Sequence, residues 1–187
     1  MKRVIIVHGW SGSPNTDFLP WAKEGLERKG YQVIVPAMPD TDTPKIENWV
    51  PYLKEVVGKV SREDILIGHS IGCQTILRFL EQLPENERVG KVILVAGFGP
   101  YLKGQTEEEQ LIAQPWLDAP LDLNKVRTKA DSFIAIFSDN DPFVPLEENK
   151  KLFEEKLGAK IFIEKGKGHF NEMPKERPET LIDQFKH

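Results

Sequence analysis

Six short runs of β-branched and aliphatic residues recur along the chain: Val4–His8, Gln32–Val35, Asp64–Ile67, Lys91–Ala96, Ser132–Phe137 and Lys160–Ile163. Most are continuously apolar rather than alternating, which suits strands buried on both faces of a parallel sheet. Stretches with a helical period lie between them, so strand and helix alternate from end to end. That order predicts a three-layer α/β/α fold of about six mostly parallel strands, with helices on both faces and right-handed crossovers. At 187 residues the whole chain, 1–187, reads as one domain able to bury its own core.

The helical stretches carry recognisable ends. Phe18, Ala22, Gly25 and Leu26 share a face that Gly30 should terminate. Ile46, Trp49, Val50, Leu53, Val56 and Val57 describe a longer helix beginning near Pro44, within which Pro51 should either kink the helix or displace its start. Cys73, Ile76, Leu77 and Leu80 form a third helix ending before Pro84, and Leu146, Asn149, Phe153 and Leu157 a fourth that stops at Gly158. A last helix runs from Pro178 toward Phe185. From Gly97 to about Asn124 the alternation fails, in a stretch holding an acidic run (Glu107–Glu109) and Trp116. More than about 20 residues is long for a structureless connection, so 97–124 is read as a short cap or lid.

Composition narrows the class of partner. With 25 basic and 29 acidic residues the net charge is −4, which argues against a nucleic-acid surface built from clustered Lys and Arg. No apolar run approaches the roughly 18 residues of a membrane helix. The run Val4–Val7 is likewise too short for a signal peptide, giving a cytoplasmic expectation. A single cysteine, Cys73, allows neither an internal disulfide nor a cysteine-based zinc site. Neither a metal nor a cofactor is expected.

The strongest local signal is Gly68-His69-Ser70-Ile71-Gly72. It falls directly between the third strand and the third helix, the context of a Gly-x-Ser-x-Gly nucleophile elbow that lifts Ser70 out of the sheet. The flanking glycines suit a turn in which backbones approach too closely for side chains. The Ile71 amide and the helix start then face any anion forming beside Ser70.

A serine hydroxyl needs a base to take its proton. Of four histidines, His187 is terminal, His69 should point away from the Ser70 hydroxyl, and His8 reads better as a hydrogen-bonded strand-end residue. His169, in a loop after the last strand, can swing over the C-terminal edge of the sheet. The third member should be a carboxylate after the fifth strand. Asp141, held extended by Pro142, is preferred to Asp139, which better suits capping its own turn. Ser70, Asp141 and His169 then follow in that order, 71 and 28 residues apart. A second oxyanion donor should come from His8-Gly9-Trp10-Ser11-Gly12-Ser13, as the amide of Trp10. The rival reading of this loop, a phosphate cradle, lacks the Gly-Lys-Ser/Thr ending of a P-loop.

Taken together, Val7-His8-Gly9-Trp10, Trp49, Gly68-His69-Ser70-Ile71-Gly72-Cys73, Leu77-Arg78-Phe79-Leu80, Val95-Ala96-Gly97-Phe98, Asp141-Pro142-Phe143-Val144-Pro145 and Gly168-His169-Phe170 resemble the α/β-hydrolase superfamily. The likeness is nearest to its small, minimally capped serine hydrolases of the retinoblastoma-binding-protein-9 type. It implies a six-stranded, largely parallel sheet with Ser70, Asp141 and His169 as a triad, and activity on small carboxylic esters. The Leu-x-Cys-x-Glu motif for pocket-protein binding is not matched, because Cys73 is flanked two residues away by Ile71 and Thr75. Alternatives are a catalytically weak binding protein on the same fold, or a thioesterase or acyltransferase. A shallow site walled by Trp10, Phe143, Phe170, Trp116 and Leu111 is expected, with a small-molecule ester as partner and oligomeric state left open.

Overall fold

The computed structural model describes residues 2–185. Six strands, β1 (Arg3–Val7), β2 (Gln32–Ile34), β3 (Ile65–His69), β4 (Val89–Val95), β5 (Ala130–Ser138) and β6 (Lys160–Glu164), form one sheet in the order β2-β1-β3-β4-β5-β6. Every adjacent pair is parallel. The sheet explains the apolar runs: Val4 to Val7, Leu66, Ile67 and Val92 to Val95 have no accessible surface.

Helices α1 (Leu19–Arg28), α2 (Ile46–Val57), α3 (Ile71–Glu81), α4 (Glu107–Asp118), α5 (Leu123–Arg127), α6 (Leu146–Leu157) and α7 (Glu179–Asp183) connect and flank the strands. The step from β1 to β2 runs one way across the sheet, and every later step runs the other. Right-handed crossovers therefore put α1 on one face and α2, α3 and α6 on the opposite face. Packing agrees: α1 meets α7, while α2 with α3, α3 with α5 and α5 with α6 form a continuous layer. The reversal occurs between β1 and β3, which opens a crevice at their C-terminal ends.

Local chemistry accounts for the helix limits. Gly158 takes the left-handed conformation that ends α6, at φ 63°. Pro51 lies inside α2 rather than displacing its start. The proline and Glu47, whose carbonyl would have received the missing bond, are both exposed, so water can serve that oxygen. The break in alternation at 97–124 is filled by α4, whose first turn is closed by a capping box: Thr106 Oγ1 accepts the Glu109 N–H, and Glu109 returns a carboxylate to the Thr106 N–H.

Helix α3 is buried from Ile71 to Leu80, polar residues included. Two of those polar side chains, Gln74 and Arg78, are spent on the 97–124 segment. Gln74 donates to the carbonyls of Phe98 and Gly99. Arg78 donates to those of Trp116, Ala119 and Pro120, which satisfies the C-terminal end of α4. Trp116 is itself buried and donates its indole N–H to the Pro44 carbonyl at 2.9 Å. Among the described residues no helix is long and apolar enough to cross a membrane.

Candidate active site

At the end of β3 the chain reverses on one residue. Ser70 sits at φ 54°, ψ −119°, a conformation sterically unfavourable for any residue with a Cβ and one held only by its surroundings. Its neighbours have no room for side chains. A Cβ on Gly68 would lie 2.7 Å from the Cys73 nitrogen, and one on Gly72 would collide with the carbonyl oxygens of Val7 and His8. The elbow is pressed against β1, and that contact sets Ser70 beside the loop following β1.

Three side chains from three connections meet there. Ser70 Oγ and His169 Nε2 are 2.9 Å apart. His169 Nδ1 lies 2.8 Å from Asp141 Oδ2, and Asp141 is nearly buried. The second carboxylate oxygen of Asp141 accepts the N–H groups of Phe143 and Val144 at 2.8 and 3.1 Å. Such an arrangement aims a lone pair of His169 at a serine hydroxyl and fixes the other ring nitrogen as the donor.

The loop bearing His169 is fastened to the end of β5. Asp139 Oδ1 accepts the N–H of Gly166, Ser138 Oγ that of Lys167, and Asn140 Oδ1 that of Gly168. Asp139 therefore anchors the loop while its neighbour two residues on meets the imidazole. Glu176, also buried, accepts the N–H groups of Asn171 and Glu172 from below. Ser138, Asn140 and Glu176 were not singled out by sequence reasoning, since Ser, Asn and Glu in loops carry no signal that separates an anchor from ordinary turn chemistry.

His8 is fully buried and occupied at both nitrogens: Nδ1 donates to the Gly9 carbonyl at 2.8 Å and Nε2 accepts the Met38 N–H at 3.0 Å. Desolvation pushes its pKa down, keeping the ring neutral. His187 lies outside the described residues. In the loop after β1, Ser11 N–H donates to Thr41, Gly12 N–H to Gly9 and Ser13 N–H to the Thr16 hydroxyl. These amides are turned inward, which removes the phosphate cradle. The amides of Trp10 and Ile71 have no acceptor among the described residues, and both residues line the cavity over Ser70.

A family model described as serine hydrolase matches residues 4–175. The chain belongs to the serine hydrolase family. Relatives of this serine hydrolase include the YdeN protein of Bacillus subtilis (strain 168), 32% identical over 171 residues, covering 91% of this chain and 87% of that protein. The serine hydrolase RBBP9 of Rattus norvegicus is 28% identical over 167 residues, covering 89% and 80% respectively. The crystal structure of the B. subtilis ydeN gene product superposes with a TM-score of 0.88 at 29% identity, covering 98% of this chain and 96% of that one. Est1E from Butyrivibrio proteoclasticus, at 14% identity and a TM-score of 0.76, shares the α/β-hydrolase fold.

The cavity of this serine hydrolase holds about 410 Å³. Trp10, Phe143 and Trp116 line it together with Phe98, Leu102, Ala113 and the polar Asp17, Gln105, Glu109 and Asn171. Two expected wall residues do not. Leu111 is 78% exposed: the face of α4 turned to the cavity carries Glu109, Ala113 and Trp116, at spacings of four and three, and Leu111 falls on the opposite face. Phe170 is fully buried in the core at φ 60° and is not part of the lining.

Proposed function

We propose that this serine hydrolase cleaves small carboxylic esters through an acyl-enzyme on Ser70. The observation that carries this reading is the unbroken hydrogen-bonded series from Asp141 through His169 to Ser70 at the floor of a partly apolar cavity. Ser70 Oγ bonds to the ester carbonyl carbon as its proton passes to His169 Nε2. The carbonyl oxygen becomes an oxyanion facing the amides of Trp10 and Ile71, at the N-terminal end of α3. Collapse of the tetrahedral intermediate breaks the bond to the alkoxy oxygen, which leaves with the proton held by His169. Water then repeats the sequence: His169 takes its proton, hydroxide adds to the acyl carbon, and Ser70 departs reprotonated. Asp141 holds the His169 tautomer and orientation through both halves.

The test is covalent labelling by a fluorophosphonate alongside hydrolysis of p-nitrophenyl butyrate. Wild type should label on Ser70 and turn over, and Ser70→Ala should do neither while retaining its melting temperature, since little packing is removed. A wild-type chain that neither labels nor turns over is a binding protein on this fold. Preference for acyl thioesters, or for alcohols over water as acceptor, would replace the ester hydrolase with a thioesterase or acyltransferase.

A further inference from the structure

His69 precedes Ser70 on β3, and its ring is not idle. The imidazole is almost fully buried. Its Nε2 lies 2.8 Å from the backbone carbonyl oxygen of His169. A carbonyl only accepts, so Nε2 carries the hydrogen and donates it. The other nitrogen, Nδ1, is buried without a hydrogen-bond partner among the described residues and faces Asp17 Oδ2 at 3.5 Å. Phe18 presents an edge to the ring at 5.2 Å, and the missing side chain of Gly9 leaves room beside Nδ1. The ring is therefore held through Nε2 alone, with Phe18 packed against it.

The bond matters because of which group it restrains. The loop residues before His169 are fastened by their amides to Ser138, Asp139 and Asn140, and those after it to Glu176. The His169 carbonyl has no other described donor. Side chain and main chain of His169 thus each meet one of two consecutive residues, Ser70 and His69.

We propose that His69 is a positioning residue for the hydrolytic reaction: by clamping the backbone of His169 to the strand that carries Ser70, it fixes the distance over which the proton passes. The proposal rests on His169 being the base. A loss of alignment of about 1 Å at such a site lowers turnover by up to about a hundredfold without touching the groups that bind substrate.

The experiment compares wild type, His69→Leu, His69→Gln and His169→Ala on p-nitrophenyl butyrate, with fluorophosphonate labelling rates and melting temperatures. His69→Leu should lower kcat and the labelling rate by about 10- to 100-fold with KM within about twofold, because the lost interaction aligns rather than binds. His69→Gln keeps a side-chain N–H and should recover to within about fivefold of wild type. A His69→Leu enzyme with wild-type kcat overturns the proposal, as does equal impairment of the Leu and Gln variants, which would make the ring mere packing. Nitrogen-15 spectra of the wild-type imidazoles check it without any substitution: His69 should show its hydrogen on Nε2, and a bare Nε2 overturns the clamp. If His169→Ala is as active as wild type, the base assignment fails first. An inactive His169→Ala beside an unimpaired His69→Leu removes the clamp alone.

Discussion

Asp141 and His169 are joined at 2.8 Å through one carboxylate oxygen, while the other oxygen is tied to the backbone two and three residues further on. The carboxylate cannot rotate away from the imidazole without giving up two N–H donors. Under the proposed mechanism, Asp141→Asn puts an amide where the tautomer-fixing acceptor stood, and kcat should fall on the order of 10⁴-fold, as at a Ser-His-Asp triad that loses its carboxylate. Asp139→Asn keeps an oxygen for the Gly166 N–H and should reduce kcat by less than about tenfold. Steady-state kinetics of the two variants decide the assignment, and a reversed ranking would transfer the role to Asp139.

Under the proposed ester hydrolysis, the size of the cavity sets which acyl groups fit. Each methylene that enters adds up to ~0.8 kcal/mol, roughly fourfold in kcat/KM, until the pocket ends. Across p-nitrophenyl esters assayed below micelle-forming concentrations, kcat/KM should rise from acetyl to about butyryl and decline beyond about octanoyl. A steady rise through palmitoyl would contradict a site of this volume.

Trp116 ties α4 to the body of the protein and also walls the cavity. Trp116→Ala removes a buried indole and should destabilise the fold by about 3–5 kcal/mol, read by urea unfolding. The same change enlarges the site, so the ratio of octanoyl to butyryl hydrolysis should increase. An unchanged ratio would mean that the acyl chain leaves Ser70 in another direction.

Burial lowers the pKa of His8 in the folded protein. The unfolded chain, with an ordinary imidazole near ~6.5, therefore takes up this proton first on acidification. The contribution of His8 to stability is complete above that pH and is lost as pH falls toward the lower folded-state pKa. Thermal melts should show His8→Gln less sensitive than wild type to acidification from pH 7 to pH 5, windows set by that ~6.5 reference. Equal sensitivity would refute the neutral, buried state of His8.

Cys73 has no accessible surface, donates to the Val95 carbonyl, and has its pKa raised by desolvation. Iodoacetamide should leave native enzyme unmodified and fully active at neutral pH, reacting only after denaturation. Rapid native labelling would show that α3 opens beneath Ser70.

Much of this was readable in the sequence because the physics is local. Continuous apolar runs mark doubly buried strands, and the two glycines around Ser70 mark a turn without room for side chains. The phase of α4 was not readable. Pro115 and the acidic run Glu107–Glu109 obscure its period, so Leu111 appeared to be a wall residue when Ala113 and Glu109 are. Phe170 shows the opposite difficulty: an aromatic next to a candidate base looks like a pocket residue, yet a backbone turn the sequence does not announce accompanies its burial in the core. Pro51 could not be placed because the answer depends on which face of α2 meets water. The anchoring of the His169 loop by Ser138 and Asn140 escaped notice because it joins residues 28 and 29 apart in sequence, a pairing that only the β5–β6 register creates.

The contact of Gly72 with the carbonyls of Val7 and His8 has a consequence for directed evolution. A library randomised at position 72 should return glycine alone among active clones, because any Cβ must push β1 out of the sheet before catalysis can be selected. Mutational supply at the turn around Ser70 is thus close to nil, and new specificities have to be recruited from the cavity-facing side of the 97–124 segment, where Gln105 before α4 and Glu109 and Ala113 on it can be exchanged without disturbing a strand.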